Sequence, residues 1–282
     1  MRIASLCPSN TELLAYLGLQ PYIVALDDYS DWPAVNPDAV RLGSDLSIDL
    51  DRLEAAKPDY ILASLSVPGM ERNVAGLQER GLAHKVFNPK SLQDIRDNLL
   101  EAGRDLGVLD QAIRAEEAFG RILDRYTHLA SKVTARPKVY WEWWPKPVFS
   151  PGGGNWLTEI SELAGAENLF ADYAEASVKT NWEEVVRRNP EVIHVVWVGV
   201  RREQVKLELV RARENAESVQ AIRSGRIHVL DEPLFCRPSP RLLTGLAKAA
   251  SLLHPDIYPD FDGQDPLLVE LGLAENRLHY LG

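Results

Sequence analysis

The chain has 282 residues, of which 45% are hydrophobic and 26% charged, a composition typical of a globular protein with about two domains. Its 31 basic and 41 acidic residues give a net charge of −10, and no dense cluster of Lys and Arg interrupts this acidic balance. Such a surface repels phosphate backbones, so nucleic acid is excluded as an expected partner. No segment approaches the roughly 18 consecutive apolar residues that read as a transmembrane helix.

Short apolar runs alternate with helical patterns in the first part of the chain. The predicted strands are residues 2–6, 22–26, 60–63 and 85–87, and the predicted helices begin near Ser9, Asp49, Glu71 and Ser91. Strands of this length, separated by helices, are typical of a parallel sheet covered by helices on both faces.

A long helix is predicted next, at residues 110–133, where Gly occurs only at position 120. One helix of about 24 residues spans roughly 36 Å, a suitable length to join two lobes. The alternation then resumes, with predicted strands at 138–143, 192–197 and 227–230 and helices near Asn155, Asn181, Glu203 and Ser239. We therefore expect a first lobe at 1–108, a linker helix at 109–134 and a second lobe at 135–282, with no role assigned to residues 254–282.

Two internal similarities indicate that the lobes resemble each other. Residues 48–61 are similar to residues 180–193, with each position 132 residues after its counterpart, as Pro190 follows Pro58. The segment from Thr11 to Gly18 is likewise similar to the segment from Thr158 to Gly165. In each copy a polar residue suits a helix start, and Pro or Gly suits its end. Two lobes facing each other are therefore predicted.

Common catalytic and metal-binding patterns are absent from the sequence. The two cysteines, Cys7 and Cys236, form no CxxC motif and favour buried apolar positions or a reducing compartment. The six histidines are dispersed without ligand spacing, and no GxSxG elbow occurs. We therefore expect no catalytic residue, no metal site and no required cofactor.

Aromatic residues in two loops are the strongest functional signal. Trp143, Trp144 and Phe149 lie at and just beyond a predicted strand end, and Tyr29 and Trp32 lie in the polar loop 27–33 after another. Strand ends hold the ligand sites of open parallel sheets. Aromatic rings from two lobes suit a large flat ligand, because they offer much contact area at little entropic cost.

Two predicted helix starts offer polar contacts beside these rings. Ser9, Asn10 and Thr11 begin one helix, and a glycine-rich loop from Gly152 to Asn155 precedes another. Unpaired backbone N–H groups at a helix start suit carbonyl or phosphate oxygens, and glycines permit close approach of a ligand. The loop lacks the Lys of a Walker motif and the spacing of a dinucleotide fingerprint.

An ordered set of segments resembles the substrate-binding proteins of cobalamin and iron-siderophore ABC importers, most closely the cobalamin-binding branch. The resemblance runs over about residues 2–253 and rests on six segments: 5–12, 29–33, 57–61, 149–152, 164–170 and 239–241. It implies a class III periplasmic-binding-protein fold, an α/β architecture of two similar lobes with parallel-type sheets joined by one long helix.

The resemblance also implies roles for individual residues. Tyr29, Trp143 and Phe149 match aromatic residues that contact cobalamin in the family, and Glu71 matches the first of two acidic residues that dock onto the permease. The second docking acid falls at Cys236, and family tryptophans fall at Leu234 and near Asp45. Asp231 and Glu232 lie close enough in sequence to substitute for the missing acid.

The sequence thus predicts a binding protein, not an enzyme, that holds a corrinoid between two lobes. Tyr29 and Trp32 are expected on one side of the ligand, and Trp143, Trp144 and Phe149 on the other. Three alternatives stay open: a binder of a ferric siderophore or haem, a cytoplasmic corrinoid-handling protein not coupled to import, and a metallocluster oxidoreductase, which two isolated cysteines disfavour. Because no export signal precedes the first strand, the expected compartment is the cytoplasm, or the periplasm if a leader has been removed.

Overall fold

Two parallel sheets form the framework of the computed structural model, which describes residues 1–273. The first sheet has five parallel strands in the order β3-β2-β1-β4-β5. Its strands are β1 (Ile3–Ser5), β2 (Ile23–Leu26), β3 (Val40–Arg41), β4 (Tyr60–Ser64) and β5 (Lys85–Phe87). The accompanying helices are α1 (Pro8–Tyr16), α2 (Leu50–Ala55), α3 (Glu71–Glu79), α4 (Leu92–Asp105) and the long α5 (Leu109–Ala130).

The second sheet has four parallel strands and lies beside a small antiparallel sheet. Its strands are β6 (Lys138–Glu142), β9 (Glu167–Asn168), β11 (Val192–Val195) and β12 (Ile227–Val229), and the antiparallel ones are β7 (Trp144–Pro145), β8 (Val148–Pro151) and β10 (Ser177–Thr180). The order is β12-β11-β6-β9 in the parallel sheet and β10-β8-β7 in the antiparallel one. The helices are α6 (Trp156–Leu163), α7 (Trp182–Arg188), α8 (Glu208–Arg211), α9 (Gln220–Arg223), α10 (Leu242–Leu253) and α11 (Pro266–Glu270).

The two parallel sheets share one topology. Strands β2-β1-β4-β5 of the first sheet correspond in chain order and position to β9-β6-β11-β12 of the second. The similar sequence segments occupy equivalent places in the two sheets. Helices α1 and α6 lead to β2 and β9, which lie on one side of the central strands β1 and β6. Helices α2 and α7 lead to β4 and β11, which lie on the other side. The predicted α/β fold of two similar lobes joined by a long helix is confirmed.

Helix α5 packs into the core that both sheets share. Its buried face has the spacing of an amphipathic helix and consists of Ala112, Ala115, Ala118, Phe119, Ile122, Tyr126 and Ala130. One continuous hydrophobic cluster contains this face together with Ile3 of the first sheet and Trp141 of the second. The helix ends at Ala130, a few residues before the predicted end. The last residues of the predicted second lobe, 274–282, lie outside the described part of the chain.

The segment after β11 differs from the sequence prediction. Where a helix was expected near Glu203, the chain forms a short 3₁₀ turn at Arg202–Gln204 and then the single-turn helix α8. The turn buries no residue, and α8 buries only Val210. Val205 and Leu207, which pack against a hydrophobic cluster of the second lobe, are two residues apart, and one helix face cannot present both, so this prediction was wrong for a physical reason.

The first testable prediction concerns the close crossing of α4 and α5. A Cβ atom placed on Gly103 lies 2.2 Å from the Cβ of Ala112, a distance at which the two helices must separate. Gly103→Ala is therefore expected to lower the free energy of unfolding by about 1–3 kcal/mol, measured by urea denaturation.

Gly120→Ala is the matched control for this prediction. Its added Cβ meets only the far end of the long Arg96 side chain, at 2.9 Å, and no backbone atom, and alanine is the better helix former. This control is expected to be neutral or stabilising. Equal destabilisation by both variants would contradict the predicted role of the crossing.

Candidate functional site

The loops at the carboxyl ends of the two parallel sheets face each other. Arg237 lies in the loop after β12, and its Nη1 atom lies 3.0 Å from Oε1 of Glu12 in α1. The same Nη1 atom lies 2.6 Å from Oδ1 of Asp31, in the loop after β2. We call the region where these edges meet the interlobe crevice and define it by residues 27–33, 143–149 and 230–241. Carboxyl edges of parallel strands are where open α/β sheets bind ligands.

The loop that presents Tyr29 is held by a buried carboxylate. Oδ1 of Asp27 accepts hydrogen bonds from the backbone N–H groups of Tyr29 at 2.8 Å and Ser30 at 3.0 Å. The Arg41 guanidinium braces the loop from outside by donating to the carbonyl oxygens of Asp27 and Ser30. The side chain of Tyr29 remains 56% exposed. A rigid loop therefore presents an exposed aromatic ring to the crevice edge.

Trp32, in the same loop, already has partners within the protein. Its ring centroid lies 5.6 Å from that of Tyr16, and the Arg241 guanidinium lies 4.3 Å from the ring centroid. Such cation–π and aromatic contacts anchor the ring. Trp32 therefore joins α1 of the first lobe to the start of α10 in the second.

The second-lobe aromatic residues lie on the β7–β8 hairpin and the turn before it. The backbone N–H of Trp143 donates to the carbonyl oxygen of Phe149 at 2.9 Å, and Trp144 pairs with Phe149 across the hairpin. Trp144 is 42% exposed, whereas Trp143 and Phe149 are partly buried. The hairpin thus places Trp144 opposite Phe149 at the carboxyl end of β6, whereas Trp143 packs against the large hydrophobic cluster.

Trp143 has a further property that favours a ligand. Its indole N–H is buried and has no hydrogen-bond partner among the described residues. A buried donor left unpaired costs about 1–3 kcal/mol, and an oxygen acceptor that reached this atom would recover that energy.

The polar residues at the start of α1 are largely engaged within the first lobe. The Asn10 amide donates to the carbonyl oxygens of Leu62 at 3.1 Å and Ala63 at 3.0 Å. The Thr11 hydroxyl bonds to Ser5 at 2.7 Å and to Ser30 at 2.8 Å. Ser9 contacts the Cys7 sulfur at 3.2 Å, so all three predicted polar residues have internal partners.

The glycine-rich loop is approached closely by the protein's own chain. A Cβ on Gly152 would lie 2.1 Å from the carbonyl oxygen of Glu175, and the N–H of Gly153 donates to the carbonyl oxygen of Tyr173 at 2.6 Å. Asn155 caps α6, because its side chain accepts from the Leu157 N–H at 2.9 Å. The structure thus gives Gly152 and Asn155 intramolecular partners, and their contact with a ligand stays a prediction.

Two arginines of the loop after β12, Arg237 and Arg241, are paired with acids at the crevice. Arg237 is 11% exposed and, besides Glu12 and Asp31, lies 3.7 Å from Glu232. Arg241 lies 3.4 Å from the Glu12 carboxylate. Glu12 itself is fully buried and also accepts a hydrogen bond from the Ser239 hydroxyl. Burial raises the pKa of Glu232 above its usual value.

Sequence reasoning missed the pairing of Glu12 with Arg237 and Arg241. The segments that contain Glu12 and Arg241 were noticed for their resemblance to the family, but no local pattern links residues 225 positions apart. A signal existed in hindsight: Glu12 directly precedes the apolar run Leu13–Ala15 within α1, and a charge buried there requires a cation, because an unpaired buried charge is too costly.

The expected permease-docking residues are found in different settings. Glu71 is the first residue of α3 and is exposed, and hydrogen bonds from its own N–H and that of Gly69 hold the pKa of its carboxyl below the usual range. Cys236, at the second position, lies 3.9 Å from the carbonyl oxygen of Val196. Its two acidic neighbours are engaged, Asp231 with Lys248 and Glu232 with Arg237.

Other candidate chemistry is weak in the described residues. Burial raises the pKa of the Cys7 thiol to about 12, so it is not a nucleophile at neutral pH. Within residues 1–273, no group of three or more His, Cys, Asp or Glu side chains is placed to hold a metal ion.

A cavity of about 1300 Å³ lies away from the crevice, between α5 and the region of β9, and its charged lining includes Arg188, which is paired with Asp172.

None of the helices formed by residues 1–273 combines the length and apolar character needed to cross a membrane.

Comparison with known proteins gives a consistent picture. The family model described as periplasmic binding protein matches residues 3–234. A vitamin B12-binding protein of Vibrio cholerae is 26% identical over 257 residues, which cover 89% of this chain and 88% of the relative. An uncharacterized ABC transporter substrate-binding lipoprotein of Bacillus subtilis is 24% identical over 270 residues, covering 92% and 82%.

Solved structures share the same fold. A haem-complexed protein of Staphylococcus aureus superimposes with a TM-score of 0.78 at 16% identity and covers 90% of this chain and 98% of its own. At this identity the likeness shows the fold alone.

The second testable prediction concerns Asp27, whose carboxylate orders the Tyr29 loop. Burial raises its pKa from 3.8 to about 6. Between these two values the folded protein holds a proton that the unfolded chain has lost, so this group favours folding at low pH, and that contribution is lost as the pH rises through about 6. Asp27→Asn removes this dependence. As the pH increases from 4 to 7, the free energy of unfolding of Asp27→Asn should therefore rise relative to that of the unmodified protein by up to about 3 kcal/mol.

Urea denaturation across this pH range measures the effect, with Asp38→Asn, an exposed acid of the neighbouring segment, as the control. The control is expected to show no comparable trend. A difference between Asp27→Asn and the unmodified protein that stays constant with pH would contradict the assignment.

Proposed function

The chain belongs to the periplasmic binding protein family, and on this premise we propose that it binds a corrinoid, a cobalamin-like macrocycle, in the interlobe crevice. We propose further that the protein binds this ligand without converting it chemically. Its main support is one combination of features: exposed aromatic rings on loops of two facing sheet edges, beside arginines that are already paired with acids.

The aromatic rings suit the faces of a flat macrocycle. Tyr29 lies on the first-lobe edge, and Trp143, Trp144 and Phe149 lie on the second-lobe hairpin. Aromatic side chains supply large contact area with few rotatable bonds, which favours tight binding of a rigid ligand. In this proposal Trp32 supports the crevice floor, because its ring contacts Tyr16 and Arg241.

The charges favour a corrinoid over more anionic ligands. A corrin ring is fringed by neutral amides, whereas haem has two propionates and catecholate siderophores bear several negative charges. Such anions need cations, yet both arginines of loop 230–241 are engaged, because Arg237 contacts three carboxylates and Arg241 contacts one of the same three, that of Glu12. The unpaired Trp143 N–H, in contrast, suits a neutral amide carbonyl.

The names of the relatives also support a role of the protein in import. The names of the Vibrio and Bacillus proteins describe a vitamin B12-binding protein and a lipoprotein of an ABC transporter, which favours an extracytoplasmic site of action over the cytoplasmic expectation. Haem or a ferric siderophore is the second candidate ligand, and a cytoplasmic corrinoid-handling role is the candidate without a permease.

The third testable prediction uses tryptophan fluorescence to measure binding. Titration with cyanocobalamin or cobinamide should quench the fluorescence with a dissociation constant in the micromolar range or below. Tyr29→Ala should weaken binding at least about tenfold, because a packed aromatic anchor is typically worth about 2 kcal/mol. Tyr22→Ala is the matched control, since Tyr22 is 46% exposed but precedes the amino end of β2.

A second pair of variants separates ring area from hydrogen bonding at Trp143. Trp143→Phe keeps most of the aromatic area and removes the N–H, and we expect a loss of several-fold. Trp143→Ala removes both and should cost at least about tenfold. Quenching or a raised melting temperature with haem or a ferric siderophore, and with neither corrinoid, would replace the proposal with its second candidate.

The fourth testable prediction concerns the permease. Association with a cobalamin ABC permease should be weak, because the second-lobe docking position is Cys236 and its acidic neighbours are engaged in ion pairs. Loss of an interface charge lowers electrostatic steering toward a basic partner. Surface plasmon resonance with permease in nanodiscs measures this. Tight association that Glu71→Lys abolishes would contradict the prediction.

A further inference from the structure

One cluster of charges connects the two lobes across the crevice. Glu12 of α1 is fully buried, and its carboxylate contacts Arg237 at 3.0 Å, Arg241 at 3.4 Å and the Ser239 hydroxyl. All three partners lie in the second lobe, at the entry to α10. A buried charge with several partners is costly to expose, so these contacts are expected to persist.

Arg237 has a second acidic partner with a different environment. Asp31 lies 2.6 Å from its Nη1 atom and 3.4 Å from its Nη2 atom, but the Asp31 side chain is 62% exposed. Arg237 is only 11% exposed, but the Asp31 carboxylate faces water, which competes for it, and salt weakens an ion pair with such an exposed partner. The guanidinium is therefore held firmly by Glu12 and only loosely by Asp31.

The loose contact crosses the gap that the ligand must enter. Asp31 is two residues from Tyr29, and Arg237 belongs to the opposite edge. We propose that Asp31 gates the crevice: the Asp31–Arg237 pair closes the aperture in the free protein and opens to admit the ligand, while Glu12 keeps Arg237 in place. This inference rests on the proposed function for its ligand and makes Asp31 a residue that controls access.

The gate predicts an unusual salt dependence of association. Cyanocobalamin has no net charge, so long-range steering contributes little to its association rate. If Asp31–Arg237 must open, added salt weakens the pair and speeds association. Asp31→Asn should raise the association rate about three- to tenfold at low salt and abolish its dependence on salt.

The matched control is Asp28→Asn, which changes the same charge in the same loop. Asp28 contacts the Gly43 N–H at 3.2 Å on its own lobe. We expect Asp28→Asn to keep the association rate and the salt dependence of the unmodified protein. Stopped-flow tryptophan quenching in 20 to 500 mM salt, on the order of Debye lengths from 20 to 4 Å, measures both variants. Equal behaviour of Asp31→Asn and the unmodified protein would overturn the gate.

A measurement without ligand separates the gate from the proposed function. Amide hydrogen exchange of residues 28–36 in the free protein should increase in Asp31→Asn and stay unchanged in Asp28→Asn, because only the first variant releases the loop from Arg237. Faster exchange in Asp31→Asn without corrinoid binding would support the gate and overturn the proposed ligand. Corrinoid binding with neither faster exchange nor faster association would support the ligand and overturn the gate.

Discussion

A buried carboxylate between two arginines is the interaction on which the arrangement of the site depends. Glu12 is fully buried in the first lobe, and its partners Arg237 and Arg241 both come from the second. Without its cations this charge would have no counterpart in a low-dielectric interior, so the carboxyl edges of the two sheets are constrained to meet at this point. Helix α5 provides the covalent connection on the other side of the molecule, packed into a core that both sheets share.

This constraint also determines which properties remain for a ligand. Arg237 and Arg241 are used to join the lobes, so neither guanidinium is free to attract an anionic ligand. What remains are the exposed rings of Tyr29 and Trp144 and the unpaired N–H of Trp143. A neutral, flat, amide-fringed molecule matches these features, and the same carboxylates disfavour anions. The proposed ligand class therefore rests on the way in which the fold satisfies these charges.

Local patterns predicted much of this architecture. Alternation along β6 places Tyr140 and Trp141 in different hydrophobic clusters, and the capping residues Asp49, Ser91 and Asn181 begin helices where they were expected. Such local patterns could not predict contacts between segments that are distant in the sequence. The glycines of residues 152–154 are required by the carbonyl oxygens of residues 171–175, and Trp32 is covered by Arg241. In both cases the sequence marked an unusual position, while the partner came from far along the chain.

A crystal structure of the protein grown with cyanocobalamin tests the central claim most directly. The account predicts corrin density between loop 27–33 and the β7–β8 hairpin, with Tyr29 and Trp143 against the ring and Arg237 still bonded to Glu12. A corrin bound in the cavity beside α5 and β9, or a crevice that opens by separating Arg237 from Glu12, would contradict it.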